Sequence, residues 1–137
     1  MKNFLSISVA LIATFLFTNP IKSQTKPDSW PQKKAFHDVM STTFHPSEEG
    51  NLEPIKKRSG EMAQKAEEWL KSTPPAEFDK PIVKEKLKLL YKESKALDKL
   101  VKSKASDEEI KTALAKLHDR FHEIVSACGD EDEKHKH

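Results

Sequence analysis

The chain has 137 residues, with 24 Lys and Arg against 22 Asp and Glu, six His, three Gly and one Cys. Basic and acidic residues are interspersed, so the composition carries no electrostatic signature of a nucleic-acid-binding protein. Three glycines are too few for a glycine-rich phosphate loop, and a single cysteine excludes an internal disulfide. The length suits one domain with one hydrophobic core.

Residues 1–23 have the pattern of a secretory signal peptide. Lys2 precedes an apolar run at 4–17, and a polar exit containing Pro20 follows. The run is too short for a membrane span, so we expect a periplasmic or secreted protein with no membrane contact after cleavage. Loss of Lys2 and Lys22 would leave 22 basic and 22 acidic residues, so the formal charge of +2 belongs to the export signal.

Three amphipathic segments follow, each with apolar residues at steps of three and four. The first is predicted to begin at Ser29-Trp30-Pro31 and to end near His45-Pro46, because proline disfavours helical geometry in the residue before it. The second is predicted from an Asn51 cap to Thr73-Pro74-Pro75, and the third from near Asp79 to about Lys102. Lysines fill most of the outer face of the third helix, where solvation is their ordinary role.

Residues 106–128 give the clearest helical pattern. Ser106 and Glu109 form a capping box, and Gly129 supplies the stop. The apolar stripe consists of Ile110, Leu114, Leu117, Phe121, Ile124 and Cys128. Four such helices with short links predict an all-α fold, an antiparallel up-down-up-down four-helix bundle over residues 24–128, with a charged tail at 129–137.

Two histidines of the fourth helix, His118 and His122, are four residues apart, so their rings project from the same side one turn apart. In the predicted bundle the first and last helices are neighbours, which lets residues of the first helix face this pair. Neutral imidazole suits copper and zinc, and a thioether favours copper or heme iron. The pattern therefore predicts a transition-metal ion, Cu or Zn. The candidate ligands are His37, Met40, His45, His118 and His122.

Catalytic patterns are weaker. His118 and His122 have the spacing of a zinc protease helix, but Asp119 stands where that motif needs a general-base Glu. A di-iron centre needs two Glu-x-x-His pairs, and the nearest approach is a single Asp119-x-x-His122. No nucleophile elbow occurs. We therefore expect a protein that is not an enzyme.

The chain resembles the four-helix-bundle cytochromes, namely the periplasmic b-type member and the cytochrome c prime group. The resemblance lies in Asn51-Leu52 with Ile55, in Thr73-Pro74-Pro75, and in residues 118–122 (HDRFH), which are similar to the heme-ligand pattern of His, two polar residues, an aromatic and Arg. His122 stands in the place of that Arg. The absence of a Cys-x-x-Cys-His motif excludes covalent heme attachment.

The resemblance implies heme b with an axial histidine at His118 or, in a second register, at His122. The opposite ligand would be Met40 by its chemistry or His45 by position. A heme also needs a planar apolar slot. Suitable walls are Phe36, Phe44, Leu114 and Phe121.

The leading functional hypothesis is thus an exported protein that holds a transition-metal ion and acts in metal binding, buffering or sensing. The alternative is a b-type heme electron carrier, and the second alternative is a structural or partner-binding bundle without a cofactor. Cys128 leaves three roles open: core filler, metal ligand, or a link between two copies in a homodimer.

Overall fold

The computed structural model describes residues 30–129, and these form four α-helices and one short 3-10 helix with no β-strand among them. The prediction of an all-α, four-helix fold is confirmed at this level. The elements are α1 (Pro31–Glu48), α2 (Glu53–Lys71), the 3-10 helix (Ala76–Phe78), α3 (Pro81–Lys102) and α4 (Asp107–Cys128). The predicted signal peptide at 1–23 and the tail residues 130–137 lie outside the described residues. Within 30–129, no helix is both long and apolar enough to cross a membrane.

Local sequence chemistry accounts for the helix starts. α1, α2 and α3 each carry a proline in the first turn, where the missing N–H would have no helical partner. α4 begins with the predicted capping box: Glu109 N donates to Ser106 Oγ (3.2 Å), and Ser106 N donates to Glu109 Oε2 (2.9 Å). Gly129 ends α4 with a φ of 87°, a left-handed conformation that suits glycine.

The predicted end of α1 near His45-Pro46 is wrong, because the helix continues through Pro46 to Glu48. Proline disfavours but does not forbid helical geometry before it, and here side-chain burial favours continuation. Ser47 is buried and donates through Oγ to the carbonyl oxygen of Phe44 (2.6 Å). Pro46 O then accepts from Asn51 N (2.9 Å), which closes the turn. The extension keeps His45 on the helix.

One hydrophobic core lies between the helices, and aromatic rings occupy much of it. Phe36 lies 5.7 Å from Trp69 and 5.9 Å from Phe121, measured between ring centroids. Trp30 meets Trp69 edge-on at 5.6 Å, and its Nε1 donates to Ser72 Oγ (2.8 Å). Burying each of these rings contributes to the free energy of folding in proportion to the apolar area removed from water.

The helices pack in sequence order. α1 lies on α2, α2 on α3 and α3 on α4, while α1 meets α4 along a slighter interface. Polar contacts mark two of these junctions: Ser59 Oγ of α2 donates to Asp98 Oδ1 of α3 (2.8 Å), and Arg120 of α4 binds Glu93 of α3 (3.0 Å). The α1–α4 contact carries the aromatic and histidine residues considered below.

Candidate metal site

His118 and His122 form a close pair on α4. Both rings are half-buried, and their Nε2 atoms lie 3.1 Å apart, within hydrogen-bond distance. One Nε2 donates to the other, with the direction set by the tautomers. The planes are nearly perpendicular, at 77°, with centroids 4.5 Å apart. The four-residue spacing therefore produces the converging imidazoles that the sequence predicted.

Aromatic side chains surround this pair. Phe44 of α1 stacks flat on His118, with centroids 3.8 Å apart and planes 9° from parallel. Phe121 presents its ring to His122 at 5.6 Å and 73°. Phe121 also stacks with His37 of α1, with ring centroids 5.2 Å apart and planes 13° from parallel. The contacts of α1 in this region are thus ring stacks, which hold the imidazole planes in fixed orientations.

The predicted ligands of α1 occupy three different environments. Met40 is buried in the core, with 1% of its surface exposed. His45 is exposed, and its Nδ1 lies 3.2 Å from Glu48 Oε2. His37 meets α4 at Phe121. In the part of the chain that the structure describes, no three His, Cys, Asp or Glu side chains are grouped to hold a metal ion. His118 and His122 are candidate ligands whose ring nitrogens lie close together, and metal ligation by any of the five residues stays a prediction.

Charged neighbours hold the outer side of α4 in place. Arg120 donates to Glu93 of α3 (3.0 Å) and to Glu123 (2.6 Å), and its pKa is raised chiefly by the hydrogen bond to Glu93. The hydrogen bond from Lys86 lowers the pKa of Glu123, with Arg120 adding to the effect. The pairs of Arg120 with Glu93 and of Lys86 with Glu123 join α4 to α3 and, with the buried apolar stripe, favour one rotation of α4 about its axis.

An open depression on the surface gives access to His122. It is lined by Lys86, Asp119, His122, Glu123, Ser126 and Ala127. Because His122 is half-buried and borders this depression, an ion can reach its imidazole from solvent without unfolding the helix.

The four residues predicted to wall a heme slot are closely packed. Phe36, Leu114 and Phe121 are fully buried, and Phe44 lies directly against His118. A heme placed among them would have to separate α1 from α4 and break the Phe36–Phe121 stack.

Comparison of the chain with protein-family models, with curated proteins and with solved structures finds no match. The resemblance to the four-helix-bundle cytochromes stays a prediction.

The stack of Phe44 on His118 is the feature of this site that sequence reasoning missed. A signal for it existed, because Phe44 lies four residues after Met40 on the same stripe of α1. The resemblance to the cytochromes assigns Phe44 to a heme wall, but a phenyl ring can also pack on an imidazole ring.

Proposed function

We propose that this protein is an exported, non-enzymatic metal-binding protein that holds Cu²⁺ or Zn²⁺ through His118 and His122. The observation that carries the proposal is the 3.1 Å separation of the two Nε2 atoms. The signal-peptide pattern at 1–23 supports export. The role that we assign is reversible binding, for buffering or sensing of the ion.

The separation of the nitrogens matches the bite of a chelating pair. Histidine nitrogens lie about 2.0–2.1 Å from zinc. Two nitrogens at that distance from one ion and 3.1 Å from each other subtend about 100° at the metal. This angle lies between the roughly 90° of square-planar and 109° of tetrahedral coordination. Binding would require both Nε2 atoms to act as acceptors, so the ring that donates in the metal-free protein would carry its proton on Nδ1 instead.

Two protein ligands leave coordination positions for water or for a group from a partner molecule. Such a site binds more weakly than a closed four-ligand site and exchanges its ion more readily. That property suits buffering and sensing better than permanent structural retention. The stack of Phe44 on His118 and the edge-on contact of Phe121 with His122 would keep the two imidazoles in place while the ion exchanges.

We also propose that the helices run up-down-up-down as an antiparallel bundle. Three contacts support this direction: the start of α1 meets the end of α2 through Trp30 and Ser72, the start of α2 meets the end of α3 through Ser59 and Asp98, and the start of α3 meets the end of α4 through Lys86 and Glu123. In this arrangement the end of α1 lies beside the middle of α4, which is consistent with the contact of Phe44 with His118.

Binding can be tested by calorimetric titration of the purified protein with Zn²⁺ and Cu²⁺. We expect one ion per chain, and loss of at least about ten-fold in affinity on either His118→Ala or His122→Ala, since each removes half of the chelate. His45→Ala is the matched control, because it removes an exposed imidazole that is paired with Glu48. Unchanged affinity in both pair variants, or an equal loss in the control, would contradict the site.

Titration with hemin distinguishes the heme alternative. Because the walls are closely packed, we expect no Soret band characteristic of bound heme. A band that appears in the parent protein and disappears in His118→Ala would show that the cofactor is heme b and would contradict the metal-ion proposal. If neither hemin nor an ion raises the melting temperature, the cofactor-free, partner-binding alternative gains support.

A further inference from the structure

The outward side of α3 carries a single file of lysines. Successive members are three or four residues apart, so they lie on one stripe of the helix. The members, which we call the lysine row, are Lys84, Lys88, Lys92, Lys95, Lys99 and Lys102. All six are exposed. From Lys84 to Lys102 the row extends about 27 Å along the helix axis, at 1.5 Å per residue.

Within residues 30–129, most of the row has no carboxylate partner. Among the described residues, no Asp or Glu lies within ion-pair distance of Lys84, Lys88, Lys92 or Lys99, whereas Lys102 pairs with Asp98. Other lysines pair along their own helices, for example Lys34 with Asp38 (2.9 Å), Lys65 with Glu68 (2.8 Å) and Lys71 with Glu67 (2.7 Å). The row therefore differs from the mixed surface of the other helices.

Two of the three acidic residues of α3 point away from the row, and the third, Glu85, is exposed beside its first members. Glu93 faces α4 and binds Arg120, and Asp98 faces α2 and accepts from Ser59. Their side chains are only 17% and 15% exposed. The fold thus places these two carboxylates at the helix contacts and the lysines of the row on the outward side. The row keeps like charges as nearest neighbours, an arrangement that destabilises an isolated helix.

We propose that the lysine row binds a linear acidic polysaccharide. A straight file of exposed ammonium groups can contact a flexible chain of carboxylate or sulfate groups along its whole length. Lysine suits this role as a strongly hydrated point charge that makes no demand on the geometry of the anion. The binding would neutralise the repulsion between neighbouring lysines.

Two other polyanionic partners fit the row less well. Single-stranded nucleic acid is held by exposed aromatic rings on which bases stack. The aromatic residue of α3, Tyr91, is only partly exposed and has Lys95 Nζ 4.3 Å above its ring. A membrane-surface helix buries its apolar face in lipid. Most of the apolar face of α3 is instead packed in the protein core, through Val83, Leu87, Leu90 and Leu97, while Ile82 and Leu89 are exposed.

The test measures binding of the purified protein to fluorescein-labelled heparin, a sulfated polysaccharide, over a series of NaCl concentrations. The row variant is Lys88→Gln, Lys92→Gln and Lys99→Gln combined. The control variant removes the same charge from exposed lysines of α2 and α4, as Lys57→Gln, Lys111→Gln and Lys116→Gln. We expect the row variant to bind at least about ten-fold more weakly and with a shallower salt dependence, and the control to stay within about two-fold of the parent.

Equal loss in the two variants would mean that net charge and not the row binds the polysaccharide, and it would overturn the proposal. So would absence of heparin binding by the parent protein at low salt. Single-stranded oligonucleotide and vesicles containing anionic lipid are titrated under the same conditions. Binding of either as tight as that of heparin would also overturn it. Circular dichroism should show both variants folded, because all six substituted side chains are on the surface.

Discussion

Gly60 lies inside α2, where glycine costs about 1 kcal/mol relative to alanine. A Cβ built at this position would lie 3.7 Å from Asp98 Oδ1, an ordinary van der Waals distance. The close approach of α3 therefore leaves room for a methyl group. We expect Gly60→Ala to raise the free energy of unfolding by about 0.5–1 kcal/mol, measured by urea denaturation.

Gly50 supplies the matched control, because its φ of 85° is a conformation that alanine adopts only with strain. Gly50→Ala should lower the free energy of unfolding. A decrease in Gly60→Ala as well would show that the added methyl group disturbs the hydrogen bond between Ser59 and Asp98.

Phe44 and His45 show which part of the site the sequence could predict. The pairing of His118 with His122 is local, since a four-residue step fixes it on any α-helix. Which residue of α1 meets that pair depends on the rotation of α1, and neighbouring residues differ by about 100° around the axis. With Phe44 turned toward His118, His45 is exposed. The apolar periodicity of α1 turns its buried face toward the core, but it does not determine which residue at the edge of that face meets α4.

Among the elements, α4 follows its sequence signals most closely, from the Ser106 cap to Gly129. The end of α1 follows them least. There the local preference before Pro46 opposes the burial of Ser47 and the turn closed by Asn51, and the tertiary contacts prevail. Helix interiors were predictable because their apolar periodicity determines what must be buried. Helix ends involve smaller energies, so a single contact can shift them.

The capping box of α4 gives a prediction at this scale. Ser106→Ala removes the oxygen that accepts from Glu109 N and should lower the free energy of unfolding by about 1 kcal/mol. For a domain of this size that corresponds to a decrease in melting temperature of about 4–8 °C. Ser126→Ala is the matched control near the other end of the same helix. It should change the melting temperature by less than half as much as Ser106→Ala does. Equal shifts in the two variants would contradict the role of the cap.

At the scale of the whole molecule, the apolar stripes account for a four-helix fold, and charged contacts help to set how the helices face one another. α3 illustrates both. Its core face begins at Val83, which is buried, while the neighbouring Ile82 is 46% exposed. On its two flanks, Glu93 and Asp98 connect it to α4 and α2. Both contacts are made by carboxylates, so the free energy of unfolding should depend on pH in the acidic range.

Glu123 provides the sharpest measure of that dependence. The hydrogen bond from Lys86 of α3 holds its pKa below the usual 4.5, so the folded protein favours the carboxylate more than the unfolded chain does. The resulting stability is present above about pH 4.5 and is lost as the pH falls through the lower pKa of the folded state. Because the side chain is 45% exposed, solvent screening limits the contribution to no more than about 1 kcal/mol.

Urea denaturation of the parent protein and of Glu123→Gln at pH 7, 5 and 3 isolates this effect, since all other titrating groups are common to both. We expect the variant to be less stable at pH 7 and pH 5, by a similar amount at each. The difference should shrink at pH 3, below the usual pKa of 4.5 at which this carboxylate takes up its proton in the unfolded chain. Asp98 should add to the acid sensitivity of both proteins: burial raises its pKa, but the hydrogen bonds from Lys102 and Ser59 outweigh that effect and leave the pKa lowered. A difference between parent and variant that is the same at all three pH values would mean that the charge on Glu123 does not help to hold α3 against α4.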